Sequence, residues 1–135
     1  MDEVLLNKKA IIERCLLRIQ EEYAGDDNNL LNNFTKQDSI ILNLQRACEA
    51  AIDLAMHVVR VKKLGIPQES RDAFMLLAAQ GILEQTLAER LGAMVGFRNV
   101  AIHDYRKLNL EIVRGILVDR LEEFRKFTRT LTEVL

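Results

Sequence analysis

Four side chains capable of chemistry fall within the eight residues Arg98–Tyr105: Arg98, Asn99, His103 and Tyr105, in the stretch FRNVAIHDY. Arginine presents a fixed fork of donors that matches phosphate, and it can offset negative charge that develops there. Imidazole exchanges protons near neutral pH. Together they suit phosphodiester cleavage without a metal, with the 2′-hydroxyl of RNA as the internal nucleophile. RNA rather than DNA is then the substrate. Arg106 and Lys107 follow at once and suit contacts to the nucleic-acid backbone.

On a helix Asn99 and His103 are four residues apart and share a face, so Asn99 can hydrogen-bond and orient the imidazole. Arg98 lies roughly 140° away from His103, at about 100° per residue. Both reach one ligand only over their shared edge, or where the helix loosens. Tyr105, seven residues after Arg98, returns to its face if the helix continues that far. Such cleavage needs a general base and a general acid, and the motif supplies one histidine per chain. A two-fold dimer would supply two. The same residues also fit a plain helix C-terminus, with His103, Arg106 and Lys107 offsetting the dipole and Arg98 paired to Asp104 or a neighbouring helix.

Glu49 and Asp53, one turn apart, are candidates to face this cleft and orient Arg98; the alternative is solvent-facing charge. His57 reads as structural, and Glu84, Glu89 and Arg90 as a solvated face. Cys15 and Cys48 sit inside apolar helical patterns, without a CxxC or a Cys/His cluster, so they read as buried free thiols and no zinc site is expected. Nor is there a carboxylate cluster of the kind that holds magnesium.

The elements that must position these residues are all helical. One proline and six glycines leave long uninterrupted stretches, and period-two alternation is nowhere sustained. A first helix over about 2–23 carries the stripe Leu5, Ile12, Leu16, Ile19 and Tyr23. AGDDNNLLNNF reads as a loop from which Leu30, Leu31 and Phe34 tuck inward. A long second helix, about 36–64, is capped by Thr35 or Asp38 and stopped by Gly65-Ile66-Pro67. Its seam of Ile41, Leu44, Cys48, Ala51, Ala55 and Val58 suits close helix packing, and this seam or the fourth helix is the expected dimer interface. Further helices are expected over about 68–79, 82–103 and 109–133, the last two burying Leu83, Leu87, Leu91 and Met94, and Leu110, Val113, Leu117, Phe124 and Leu131. The expectation is a single all-α domain over 1–135, an up-and-down bundle of four to five helices.

Composition limits the functions available. The chain has 135 residues, 49% hydrophobic and 29% charged, which suits one domain with a real core. A net charge of −1 argues against a broad nucleic-acid-coating surface and leaves a few focused residues to do any RNA binding. No signal-peptide pattern and no apolar run of membrane-spanning length is present, so a cytoplasmic protein is expected.

RNVAIHDY resembles the Rx4HxY motif of HepT-like toxins, in the HEPN superfamily of helical RNases. AAQGILEQTLAERLGAMVGFRNVAIHDY is similar to that family's fourth-helix region, LQRACEAAIDLAMHVV to its long second helix, and IPQESRDAFMLLAAQGIL to its third. The resemblance implies a metal-independent RNA endonuclease, dimeric, with Arg98 and His103 as the catalytic pair in a shared cleft and Asn99 as the polar residue after the arginine. It implies no cofactor for the chain itself. It implies a cognate minimal nucleotidyltransferase antitoxin that uses ATP to transfer AMP to Tyr105, adding bulk and negative charge beside a phosphate-binding site. The alternative is a non-catalytic helical module that binds such a nucleotidyltransferase; a helical protein without a site is the third reading.

Overall fold

A computed structural model of the chain describes residues 2–135 and contains seven α-helices, with no strand among those residues. The helix α1 (Glu3–Tyr23) starts where the Asp2 carboxylate accepts the Leu5 amide proton at 2.9 Å, an N-cap of the usual chemistry. The longest helix, α3 (Phe34–Val61), packs antiparallel against it: Asp2 meets His57, Lys8 meets Asp53, and Arg14 and Arg18 face the stretch from Asp38 to Arg46. The stripe Leu5, Ile12, Leu16 and Ile19 is buried in this contact. So is the whole small-residue seam from Ile41 to Val58. The seam therefore seals the core of one protomer and is not an interface between copies, which corrects one of the two expected dimer surfaces.

The expected loop after α1 contains a short helix, α2 (Asp27–Leu31), capped by Asp26. Leu30 alone turns inward, while Leu31 is exposed and Phe34 is 76% exposed, against expectation. The cap of α3 is Asn33, which accepts from the Lys36 amide at 3.0 Å; neither Thr35 nor Asp38 serves. Asparagine two positions before Thr35 captures the free amides first, and this leaves the Asp38 side chain available for another partner.

The helices α4 (Ser70–Ala79) and α5 (Gln85–His103) form a second antiparallel pair laid against α3. Gly92 permits the contact: the Arg71 stem lies where a Cβ on Gly92 would be only 3.0 Å away, and Arg71 Nε donates to the Gly92 carbonyl at 3.1 Å. The expected C-terminal helix is two, α6 (Leu110–Asp119) and α7 (Leu121–Val134). They meet at Arg120, where Glu123 in the first turn of α7 is buried and accepts from Arg120 at 3.1 Å and from Arg90 of α5 at 3.0 Å. A buried carboxylate with two guanidinium donors fixes the joint, and no glycine or proline marks it in the sequence. Arg90 is thus a structural ion-pair partner, not merely part of a solvated face. Among the described residues, no helix is long and apolar enough to cross a membrane.

Candidate active site

The helix α5 carries Arg98, Asn99 and His103 on its last turns and ends at His103. Asp104 breaks it, with φ −154° and ψ 66°, while its amide still donates to the Val100 carbonyl at 2.8 Å. The chain then makes a single 3₁₀ turn, Tyr105–Lys107. Tyr105 therefore leaves the helix and does not return to the face of Arg98. His103 and Asn99 are both exposed, and no side-chain hydrogen bond between them is present among the described residues. The expected orienting role of Asn99 is not realised in this conformation.

Arg98 is half-buried. Its Nη2 lies 3.5 Å from Ser70 Oγ, a long contact to the first turn of α4, and its buried Nε has no partner. An orphaned guanidinium donor is costly in a core and is what a phosphate-binding group retains. Its charge reaches Cys48 on α3: burial pushes that thiol up to about 12, and Arg98 works in the opposite direction. Arg98 does not pair with Asp104, which holds Lys107 at 3.3 Å. Neither expected carboxylate meets Arg98. Asp53 pairs with Lys8 of α1 at 3.0 Å, and Glu49 accepts from Gln45 at 3.0 Å. Asp53 projects from α3 towards α1, and Glu49 is taken by a neighbour one turn away on its own helix. Arg106 is exposed, as is Lys107, beside the same helix end.

His57 is buried, with Nε2 at 2.7 Å from the Asp2 carboxylate and Nδ1 at 3.2 Å from Arg60. It ties the start of α1 to the end of α3, a structural role. The same bond, with the Leu5 amide after it, holds the Asp2 carboxyl below its ordinary value.

Tyr105 is 41% exposed, and its hydroxyl donates to Asp38 Oδ1 of α3 at 2.6 Å. Partial burial of the phenol, followed by this bond to a carboxylate, pushes it well above its ordinary range. Asp38 was not legible as a site residue, because the partners are 67 positions apart in sequence. On the other side of α5, Met94, Phe97 and Val100 line a cavity of about 370 Å³ with Leu108, Ile112 and Ile116. Val100, Ile102 and Ile112 are exposed apolar residues on or near it.

Residues 12–131 match the model of the family described as ribonuclease HepT-like. The chain belongs to this family. As a HepT-like ribonuclease it is 51% identical over 127 residues to the mRNA nuclease HepT of Shewanella oneidensis, covering 94% of this chain and 95% of that protein. It is 26% identical over 108 residues to the tRNA nuclease HepT of Aphanizomenon flos-aquae, covering 80% and 74%. Among solved structures it is similar to the tri-AMPylated Shewanella oneidensis HEPN toxin in complex with its MNT antitoxin, with a TM-score of 0.93 and 49% identity over 98% of this chain and 99% of that one. A toxin–antitoxin structure with AMP-PNP is similar at a TM-score of 0.93, 48% identity, and coverage of 98% and 99%. The all-helical HEPN-type fold and the ribonuclease class expected from the motif both hold.

Proposed function

We propose that this HepT-like ribonuclease is the toxin of a two-gene pair, a dimeric endonuclease that cuts RNA with Arg98 and His103 and is silenced by AMP transfer to Tyr105. The carrying observation is the end of α5, where an arginine with an unpartnered buried donor, an exposed histidine and a reachable tyrosine hydroxyl follow one another within eight residues. One imidazole takes the proton from a ribose 2′-hydroxyl, whose oxygen attacks the adjacent phosphorus. The bond from phosphorus to the 5′-oxygen breaks, and a second imidazole returns a proton to that leaving oxygen. Arg98 neutralises the charge gathering on the non-bridging oxygens. Arg106 and Lys107 hold neighbouring phosphates.

The second imidazole belongs to a second copy of the chain. The exposed apolar residues Val100, Ile102 and Ile112 support a two-fold contact along α5 and α6, beside both catalytic residues. Neutralisation is by a nucleotidyltransferase partner using ATP: the Tyr105 oxygen attacks the α-phosphorus, pyrophosphate leaves, and the phenol proton passes to a base. The complexes formed by the similar Shewanella toxin support both the partner and the modification. The experiment is incubation with the neighbouring nucleotidyltransferase gene product and ATP. Tyr105 should gain AMP by mass and RNA cleavage should stop, while Tyr105→Phe should stay active. Equal silencing of Tyr105→Phe would mean inhibition by binding alone.

A further inference from the structure

A cavity of about 430 Å³ opens between α1 and α3, lined by Arg14 and Arg18 from α1 and by Asp38, Asn43 and Arg46 from α3. Asp38 accepts the Tyr105 hydroxyl bond at 2.6 Å, so the phenol oxygen is one hydrogen bond from a residue that lines this cavity. None of the three arginines is in an ion pair among the described residues, although every arginine of α6 and α7 is. Two of them, Arg14 and Arg46, lie close enough to the buried Cys15 to act on its thiol. Three arginines outside any ion pair, lining one cavity, suit a phosphate by charge.

We propose that this cavity is the docking site for the AMP chain carried on Tyr105, with Arg14, Arg18 and Arg46 pairing with its phosphates. The inference rests on Tyr105 being the modified residue. Modification removes the phenolic proton, and with it the only donor in the bond to Asp38. It puts a phosphate monoanion where that proton was. The Asp38 carboxylate then repels the new group, and the cavity that Asp38 lines offers three arginines. Three AMP units, the number on the tri-AMPylated relative, joined in a chain would carry one negative charge per phosphodiester, which three arginines can match. Docking would hold the chain against the body of the toxin and shield its linkages.

The test uses the full chain, modified by its nucleotidyltransferase with ATP, as wild type and as the Arg18→Ala/Arg46→Ala double variant. Intact mass first establishes that both carry AMP on Tyr105, and circular dichroism that both are folded. The rate of AMP release by a phosphodiesterase is then measured. The variant should lose AMP about tenfold faster, the loss expected when charge-assisted bonds to phosphate are removed. Arg46→Gln alone should give a smaller increase in the same direction. Equal release rates from modified wild type and variant overturn the proposal while leaving Tyr105 as the modified residue. Wild type that gains no AMP on Tyr105 overturns both readings. A tenfold loss of RNA cleavage by the unmodified double variant would assign the cavity to RNA instead, which also overturns it.

Discussion

The two tyrosines of this chain each donate to an aspartate, in different surroundings. Tyr23 donates to Asp27, and Asp27 also accepts from Arg114 of α6 at 2.8 Å. Tyr105 donates to Asp38, whose carboxylate is in no ion pair among the described residues. The first pair is closed: α1, α2 and α6 are bound together, and the ring is half-buried. The second is open, with a partly exposed side chain, a carboxylate outside any ion pair, and unpaired arginines around that carboxylate. A tyrosine fixed in a network serves the fold, and one held by a single bond at a helix end can be released to a modifying enzyme.

The largest effect that sharpens this contrast is chemical. Tyr105→Phe should abolish AMP transfer as read by intact mass and leave RNA cleavage intact, whereas Tyr23→Phe should be modified like wild type. Modification of Tyr23 in place of Tyr105 would break the comparison. Next comes the arginine of the last turns of α5: Arg98→Ala should lower cleavage by about 10²–10³-fold, as loss of a charge-stabilising donor does, without unfolding the chain. Stability is expected to move the other way. Tyr23→Phe should cost about 1 kcal/mol in denaturant unfolding, more than Tyr105→Phe.

The smaller effects are titrations. Both phenols lie above the usual value, Tyr105 chiefly through burial and Tyr23 chiefly through its bond to Asp27. A raised phenol contributes stability that is complete below the ordinary value near 10 and is lost as pH rises through the folded-state value. The absorbance of Tyr23→Phe should therefore show Tyr105 ionising above 10, and Asp38→Asn in that background should bring it down. Asp27 runs oppositely. Its bonds to Tyr23 and Arg114 lower its pKa, so its contribution is present above the ordinary carboxyl value of 3.8 and disappears as pH falls through the lowered one. An Arg114→Ala variant should lose acid stability earlier than wild type; an unchanged acid transition would break the closed network.

Periodicity made most of this fold legible. The stripe of α1, the seam of α3 and the end of α5 at His103 all follow from it, because a helix must bury one face and this sequence has few breakers. What it concealed were decisions taken by contacts distant in sequence. The break between α6 and α7 depends on buried Glu123 meeting Arg90 from another helix. The cap of α3 passed to Asn33 because three nearby polar residues had similar local claims. Of the site, Arg98, Asn99, His103 and Tyr105 stood out as polar types clustered in an apolar chain. Asp38 and the arginines of α1 and α3 did not, since only tertiary packing brings Asp38 to Tyr105 and the arginines to Asp38. Glu49 and Asp53 shared the right helix but found other partners.

The measurement that tests the central claim most directly is cleavage of a mixed cellular RNA pool in EDTA, comparing the unmodified chain, made without its partner gene, with His103→Ala. Cleavage by the first and none by the second, with both folded and dimeric, is the predicted result. Equal cleavage by both would contradict the role of His103, and no cleavage by either would point to a helical module that binds a nucleotidyltransferase without cutting RNA.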